Sequence, residues 1–128
     1  MAFIWANKKP TDGVATLYET NITLNKVASA HFETAHKKLI LLGLDLQGKR
    51  IAIKPLSKED LELGIIPEEK RHRITLKPSY ARVSNKKFMK EVSDAMDFNF
   101  ENNNSRKFNA KWSKEDSALI IDLNNEED

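Results

Sequence analysis

An order of elements that occurs twice constrains this chain more than any other feature. Residues 20–56 read as a strand at Thr20–Leu24, a helical stretch, a strand from Leu39 to Asp45, a turn at Gln47-Gly48 and a strand from Lys49 to Leu56. Residues 72–123 repeat that order. They are extended from Arg73 to Tyr80, helical over 84–96 and extended from Phe108 to Trp112. They then turn at Lys114-Glu115-Asp116 and are extended again from Ala118 to Leu123. The spacing predicts two strand–helix–strand–strand (βαββ) units. Val27-Ala28-Ser29-Ala30-His31-Phe32 aligns over Val83-Ser84-Asn85-Lys86-Lys87-Phe88, and Arg50-Ile51-Ala52-Ile53 over Ala118-Leu119-Ile120-Ile121. The second unit is longer after its helix, where Glu101-Asn102-Asn103-Asn104-Ser105 reads as a loop.

A chain of 128 residues suits one domain around one core. The expected fold class is α+β, with duplicated βαββ units sharing that core. The first unit spans residues 14–56, a helical connector 57–71, the second unit 72–123, and a short acidic tail 124–128. Ala28, Phe32, Ala35 and Leu39 predict one buried stripe on the first helix, and Phe88, Val92, Ala95 and Met96 another on the second. Ser84 is the expected N-cap of the second helix. Phe108, Ala110 and Trp112 alternate with Asn109 and Lys111, as in a half-buried strand. Gly48 is expected to supply a positive φ to a short hairpin, and Pro55 and Pro78 to lie at strand ends. In the connector, Ser57 with Asp60 resembles a capping box and Gly64 a helix stop, with the apolar residues expected to dock on the core.

The chain has no cysteine, which excludes disulfides, thiol catalysis and thiolate metal sites and fits a reducing compartment. No apolar run approaches the ~20 residues of a membrane span. Met1 to Ala6 is apolar with Lys8 and Lys9 behind it, the reverse of a secretory signal, so an N-terminal arm packed on the domain and a cytoplasmic location are expected.

Charge is strongly partitioned. Residues 1–69 balance nine Lys/Arg with nine Asp/Glu, and residues 91–128 carry four basic against ten acidic residues. Between them, residues 70–90 hold eight basic residues and no acidic one: Lys70, Arg71, Arg73, Lys77, Arg82, Lys86, Lys87 and Lys90. Such a block is either an electrostatic footprint for phosphate or a solvated face neutralised by the acidic C-terminal third.

The stretch Ala81-Arg82-Val83-Ser84-Asn85-Lys86-Lys87-Phe88, with Lys26, Val27 and Phe32 in the first unit, resembles the strand-to-helix motif of the AbrB-type and MraZ-type transcription regulators. Ala81 stands where that motif has glycine, and Lys86 where it has proline. The resemblance implies a swapped-hairpin or small barrel-like sheet with a pseudo-two-fold, in which two units interlace. A homo-oligomer is then possible but not required for folding. It also implies a DNA-binding regulator, with Arg82 closest to the nucleic acid at the strand-to-helix turn.

Catalytic signals are weak. His31 and His36 are five apart, the wrong spacing for two ligands on one helical face, and His72 stands alone. Asp94 and Asp97 lack a raised-pKa setting, no glycine-rich phosphate loop exists, and Ser79, Ser84 and Ser93 lack a nucleophile-elbow context. No enzyme activity, cofactor or metal is expected. Trp5, Tyr18, Tyr80 and Trp112 read as packing aromatics before base-stacking ones. The leading expectation is a nucleic-acid-binding module, DNA favoured over RNA, acting through Lys26, Arg71, Arg73, Lys77, Arg82, Lys86, Lys87 and Lys90. The alternative is a protein-interaction or assembly module with sheet edges open to augmentation.

Overall fold

A computed structural model describes residues 13–100 and 104–127. Nine strands form one antiparallel sheet: β1 (Val14–Leu17), β2 (Asn21–Asn25), β3 (Leu39–Asp45), β4 (Arg50–Pro55), β5 (His72–Arg73), β6 (Thr75–Leu76), β7 (Tyr80–Ser84), β8 (Arg106–Ser113) and β9 (Ala118–Glu127). Three α-helices accompany it: α1 (Lys26–Ser29), α2 (Lys58–Glu62) and α3 (Lys86–Met96). Strand alternation sets the inner face. Ala15 and Leu17, Ile22 and Leu24, Ile51 and Ile53, Ala81 and Val83 all point inward and are buried.

The sheet order is β5-β3-β4-β9-β8-β1-β2-β7-β6. Its two end strands are consecutive in the chain and flank Ile74, which is buried and donates its N–H to the Lys38 carbonyl at 2.9 Å. The sheet therefore bends round until its ends lie one residue apart, giving a nearly closed, barrel-like shape. Its interior draws on the whole described chain, including Leu17, Ile53, Val83, Phe108, Leu119 and Ile121. β4 pairs with β9 and β2 with β7, so early and late segments are hydrogen-bonded neighbours. No helix among the described residues is long and apolar enough to cross a membrane.

Several local expectations are corrected. Arg73 to Tyr80 is not one strand. Pro78 and Ser79 turn it into a hairpin closed by Lys77 N–H to Tyr80 O at 2.8 Å. The same bond closes the Tyr18–Asn21 hairpin, also at 2.8 Å. Each half thus begins with a strand that the βαββ reading missed. The letter alignment is out of register as well: Val27 lies in α1 and Val83 in β7. Asn25 and Asn85, rather than the valines, occupy like positions, each the N-cap of the helix that follows its strand. Ser84 ends β7, and it is the Asn85 side chain that accepts from Phe88 N–H, at 3.0 Å.

The first helix is one turn, followed by 3-10 turns at Ala30–Phe32 and His36–Lys38. The chain leaves the helical path because β3–β4 pairing captures it. His36 N–H donates to Leu56 O at 2.8 Å and Leu56 N–H to Leu39 O at 3.0 Å, while Lys37 takes a φ of 53°. Ala28 and Phe32 stay buried, but Leu39 belongs to a strand. In contrast α3 runs eleven residues on the buried stripe Phe88, Met89 and Val92; of the rest of the expected stripe, Met96 is half-buried and Ala95 is exposed.

The Ser57–Asp60 capping box is present, and Gly64 stops the helix at φ 67°. Beyond it, Leu63 and Ile65 do not dock on the core; they are 68% and 75% exposed. Gly48 does not take the positive φ of its hairpin; Lys49 does, at 53°. A Cβ at Gly48 would sit 2.5 Å from an Asp45 carboxylate oxygen, the end of an exposed side chain that can shift aside. Gly13 meets a stricter limit: a Cβ would collide with the Ala110 backbone carbonyl, which belongs to the strand beside it. The N-terminal arm, Trp5 included, and the polar residues 101–103 lie outside the described residues.

Candidate functional site

Helix α3 carries the most concentrated part of the basic block. Lys86 and Lys87 occupy its first turn and Lys90 the next, all exposed, with no acidic residue in the first turn. Cations there oppose the helix dipole and the free N–H groups, a local cost of roughly 0.3–1 kcal/mol each at low salt. Lys86 and Lys90 also stand four apart, a like-charge spacing. The sequence accepts this arrangement although the opposite face of the helix is well formed.

These three lysines form one wall of an open cleft of about 970 Å³. The hairpin between β1 and β2 contributes Glu19 and Thr20, and the end of α3 contributes Ser93 and Asp97. Behind them Phe98, Asn99 and Phe100 supply an apolar and amide surface. The segment is held firmly. Asp97 adopts the left-handed conformation at φ 56°, and Phe98 N–H returns to Ser93 O at 3.0 Å. Phe98 stacks on Phe108 with centroids 5.6 Å apart, meets Phe100 edge-on at 6.0 Å, and carries the Arg106 guanidinium 4.7 Å from its ring centre. Arg106 is itself paired with Glu126 at 2.9 Å.

The remaining predicted residues are spread over other places. Arg82 is not at the strand-to-helix turn. It projects outward from the middle of β7, opposite Thr23 on one side and Thr75 on the other, 5.4 Å over the Tyr80 ring. With Thr16 and Lys107 in the next two strands it forms a cross-strand row, Thr75-Arg82-Thr23-Thr16-Lys107, in which two threonines lie between the two cations. Lys26 begins α1 beyond Asn25, which pairs with Tyr80, and Lys77 lies at the hairpin below. Arg73 is exposed on β5. Arg71 is committed elsewhere: its guanidinium donates to the Ile66 carbonyl at 2.9 Å and 3.3 Å, bracing the connector.

Among the described side chains, none of the basic block is ion-paired with the acidic C-terminal third. Among the described residues the ion pairs are Asp45–Arg50, Lys58–Glu62 and Arg106–Glu126, and the basic block takes part in none of them. Two carboxylates are made more acidic than usual, and neither lines the cleft. Asp45 is lowered by the Gly48 N–H and then by Arg50, and Asp60 by the Ser57 N–H and then the Ser57 hydroxyl. Among the described residues no group of three or more His, Asp or Glu could hold a metal ion. His31 stacks flat on Trp112 at 4.7 Å, and His72 Nδ1 lies 3.0 Å from the Asn85 amide nitrogen.

Sequence reasoning missed the far wall of the cleft. Thr20 and the Phe98–Phe100 segment have no motif. The one available signal was the Phe-Asn-Phe alternation directly after the helix end, where a loop was expected. Set against protein-family models, curated proteins and solved structures, the chain matches none of them.

Proposed function

We propose that the protein is a nucleic-acid-binding module, with DNA its favoured partner, and that it contacts phosphate through the lysines of α3. The observation that carries this reading is the placement of Lys86, Lys87 and Lys90 together on one open wall, in no ion pair among the described residues, with Lys86 and Lys87 in a first helical turn where cations are unfavourable unless an anion joins them. Arg82 adds charge on the outward sheet face and Lys26 at the start of α1; Arg71 does not, being spent on the connector.

A regulatory role of the AbrB type draws on a second point. Exchanging β1 with the 72–76 segment, β2 with β7, β3 with β8 and β4 with β9 carries β2–β7 and β4–β9 onto themselves and every other strand pairing onto a different one. That pattern supports an internal duplication with a pseudo-two-fold, in which each half lends strands to the other. The competing reading, a protein-assembly module, loses one of its grounds. The sheet is nearly closed, and its two end strands are only two residues long, leaving little edge for augmentation.

The test is fluorescence anisotropy on DNA over a salt series. Affinity should fall steeply between about 50 and 200 mM salt, and the triple variant Lys86→Glu, Lys87→Glu, Lys90→Glu should weaken binding at least about tenfold while flattening the salt slope. Binding that is absent at low salt for duplex and single strands alike, or that ignores the triple variant, refutes the reading.

A further inference from the structure

The α3 cleft is less uniformly basic than a groove for a phosphate backbone alone. Its volume of about 970 Å³ is at the upper end of the range for sites that enclose a small organic ligand. One wall is cationic, the floor is apolar, and two carboxylates, Glu19 and Asp97, also line it. These carboxylates repel a dense run of phosphates but accept hydrogen bonds from amino groups. In a duplex one hydrogen of each exocyclic amine of adenine and cytosine is taken by pairing and the stacked base cannot enter a cleft; in an unpaired nucleotide both hydrogens and the base faces are free. Phe98 and Phe100 line the cleft with what remains accessible of them: Phe98 already has Phe108 stacked on its ring and the Arg106 guanidinium over it, and Phe100 is buried, so the apolar surface left for a base is small and ordered beforehand.

We propose that this cleft receives one unpaired nucleotide bearing a base with an exocyclic amine. Its phosphate lies on Lys86, Lys87 and Lys90, and its amine reaches Glu19 or Asp97. The inference rests on the nucleic-acid reading above and deepens it by naming the unit bound. That unit has two possible sources, a nucleotide within a single strand or a free mononucleotide.

The experiment uses the full chain and labelled single strands of about twelve nucleotides, oligo(dC) against oligo(dT), with duplex DNA in parallel. Thymine has no exocyclic amine, so oligo(dC) should bind about tenfold more tightly, as expected for one charge-assisted hydrogen bond. The preference should vanish in the double variant Glu19→Gln, Asp97→Asn, which keeps the shape, since asparagine tolerates the left-handed conformation at residue 97. On the unaltered protein, oligo(dC) should protect Lys86, Lys87 and Lys90 from reductive methylation while leaving Lys54 and Lys58 reactive. Competition by dCMP then assigns the unit to a free nucleotide, and failure to compete, with the base preference intact, assigns it to a strand. Equal binding of the two homopolymers, a preference that survives the double variant, or no protection of the three lysines overturns the cleft proposal. Duplex binding with the expected salt slope would leave the broader reading standing in each of those cases. No binding to any nucleic acid at low salt removes both.

Discussion

Asn25 and Asn85 each join a helix start to a strand, and they do so with different chemistry. The Asn25 oxygen accepts from Ala28 N–H and from Val14 N–H, both at 3.1 Å, so it caps α1 and tethers β1 together. The Asn85 oxygen caps α3, while its amide lies 3.0 Å from His72 Nδ1. Removing a capping side chain costs about 1 kcal/mol. Asn25→Ala should therefore lower unfolding stability by about 1–2 kcal/mol in urea titrations, and Asn25→Asp, which keeps the acceptor, should recover most of it. Asp45 and Asp60 set the acid limb. Their native acidity is stronger than that of a free aspartate, so each contributes stability that is complete above the ordinary aspartate value near 4 and is lost as pH falls through the lowered native one. Stability measured from pH 5 down to about pH 2 should decline less steeply in Asp45→Asn and Asp60→Asn than in the parent protein.

At the scale of elements, the β8–β9 turn holds Ser117 at a φ of 49°, a conformation that costs a side chain roughly 1–2 kcal/mol and glycine little. Ser117→Gly should raise the melting temperature by a few degrees, read by circular dichroism. Elements with a local code were legible in the letters. The Ser57–Asp60 capping box, the Gly64 stop and the Phe88–Val92 stripe each state their own geometry within four residues. Elements decided by distant partners were not. The first stripe, Ala28 to Leu39, has helical spacing, yet its second half is drawn into β3 by Leu56, a residue whose pull no local pattern expresses. The lysines of the cleft were visible as a charge block for the same reason that its far wall was not. Charge density can be counted along the chain, whereas the approach of Thr20 and Phe98 to Lys86 is a product of the fold. Arg71 shows the limit of counting: it has the right charge and the wrong commitment, to Ile66 O.

For the whole molecule, the pairings β2–β7 and β4–β9 place both halves in one interior. Leu119 is fully buried there on β9, within the same cluster as Ile53 and Leu17. Leu119→Ala should cost about 2–5 kcal/mol. Thermal unfolding of the parent should be a single cooperative transition followed equally by far-ultraviolet circular dichroism and by tryptophan fluorescence. Two separated transitions would mean that residues 14–56 and 72–123 stand alone, against the shared core.

The insertion of β1 between β2 and β8 has a consequence for how the molecule comes into being. While the ribosome is still making residue 80, β1 lacks one neighbour and β4 lacks β9, so half-built chains display apolar strand faces with nothing to cover them. Assembly must wait until residues 118–127 have left the exit tunnel. That delay leaves those apolar faces uncovered until synthesis of the second half is nearly complete.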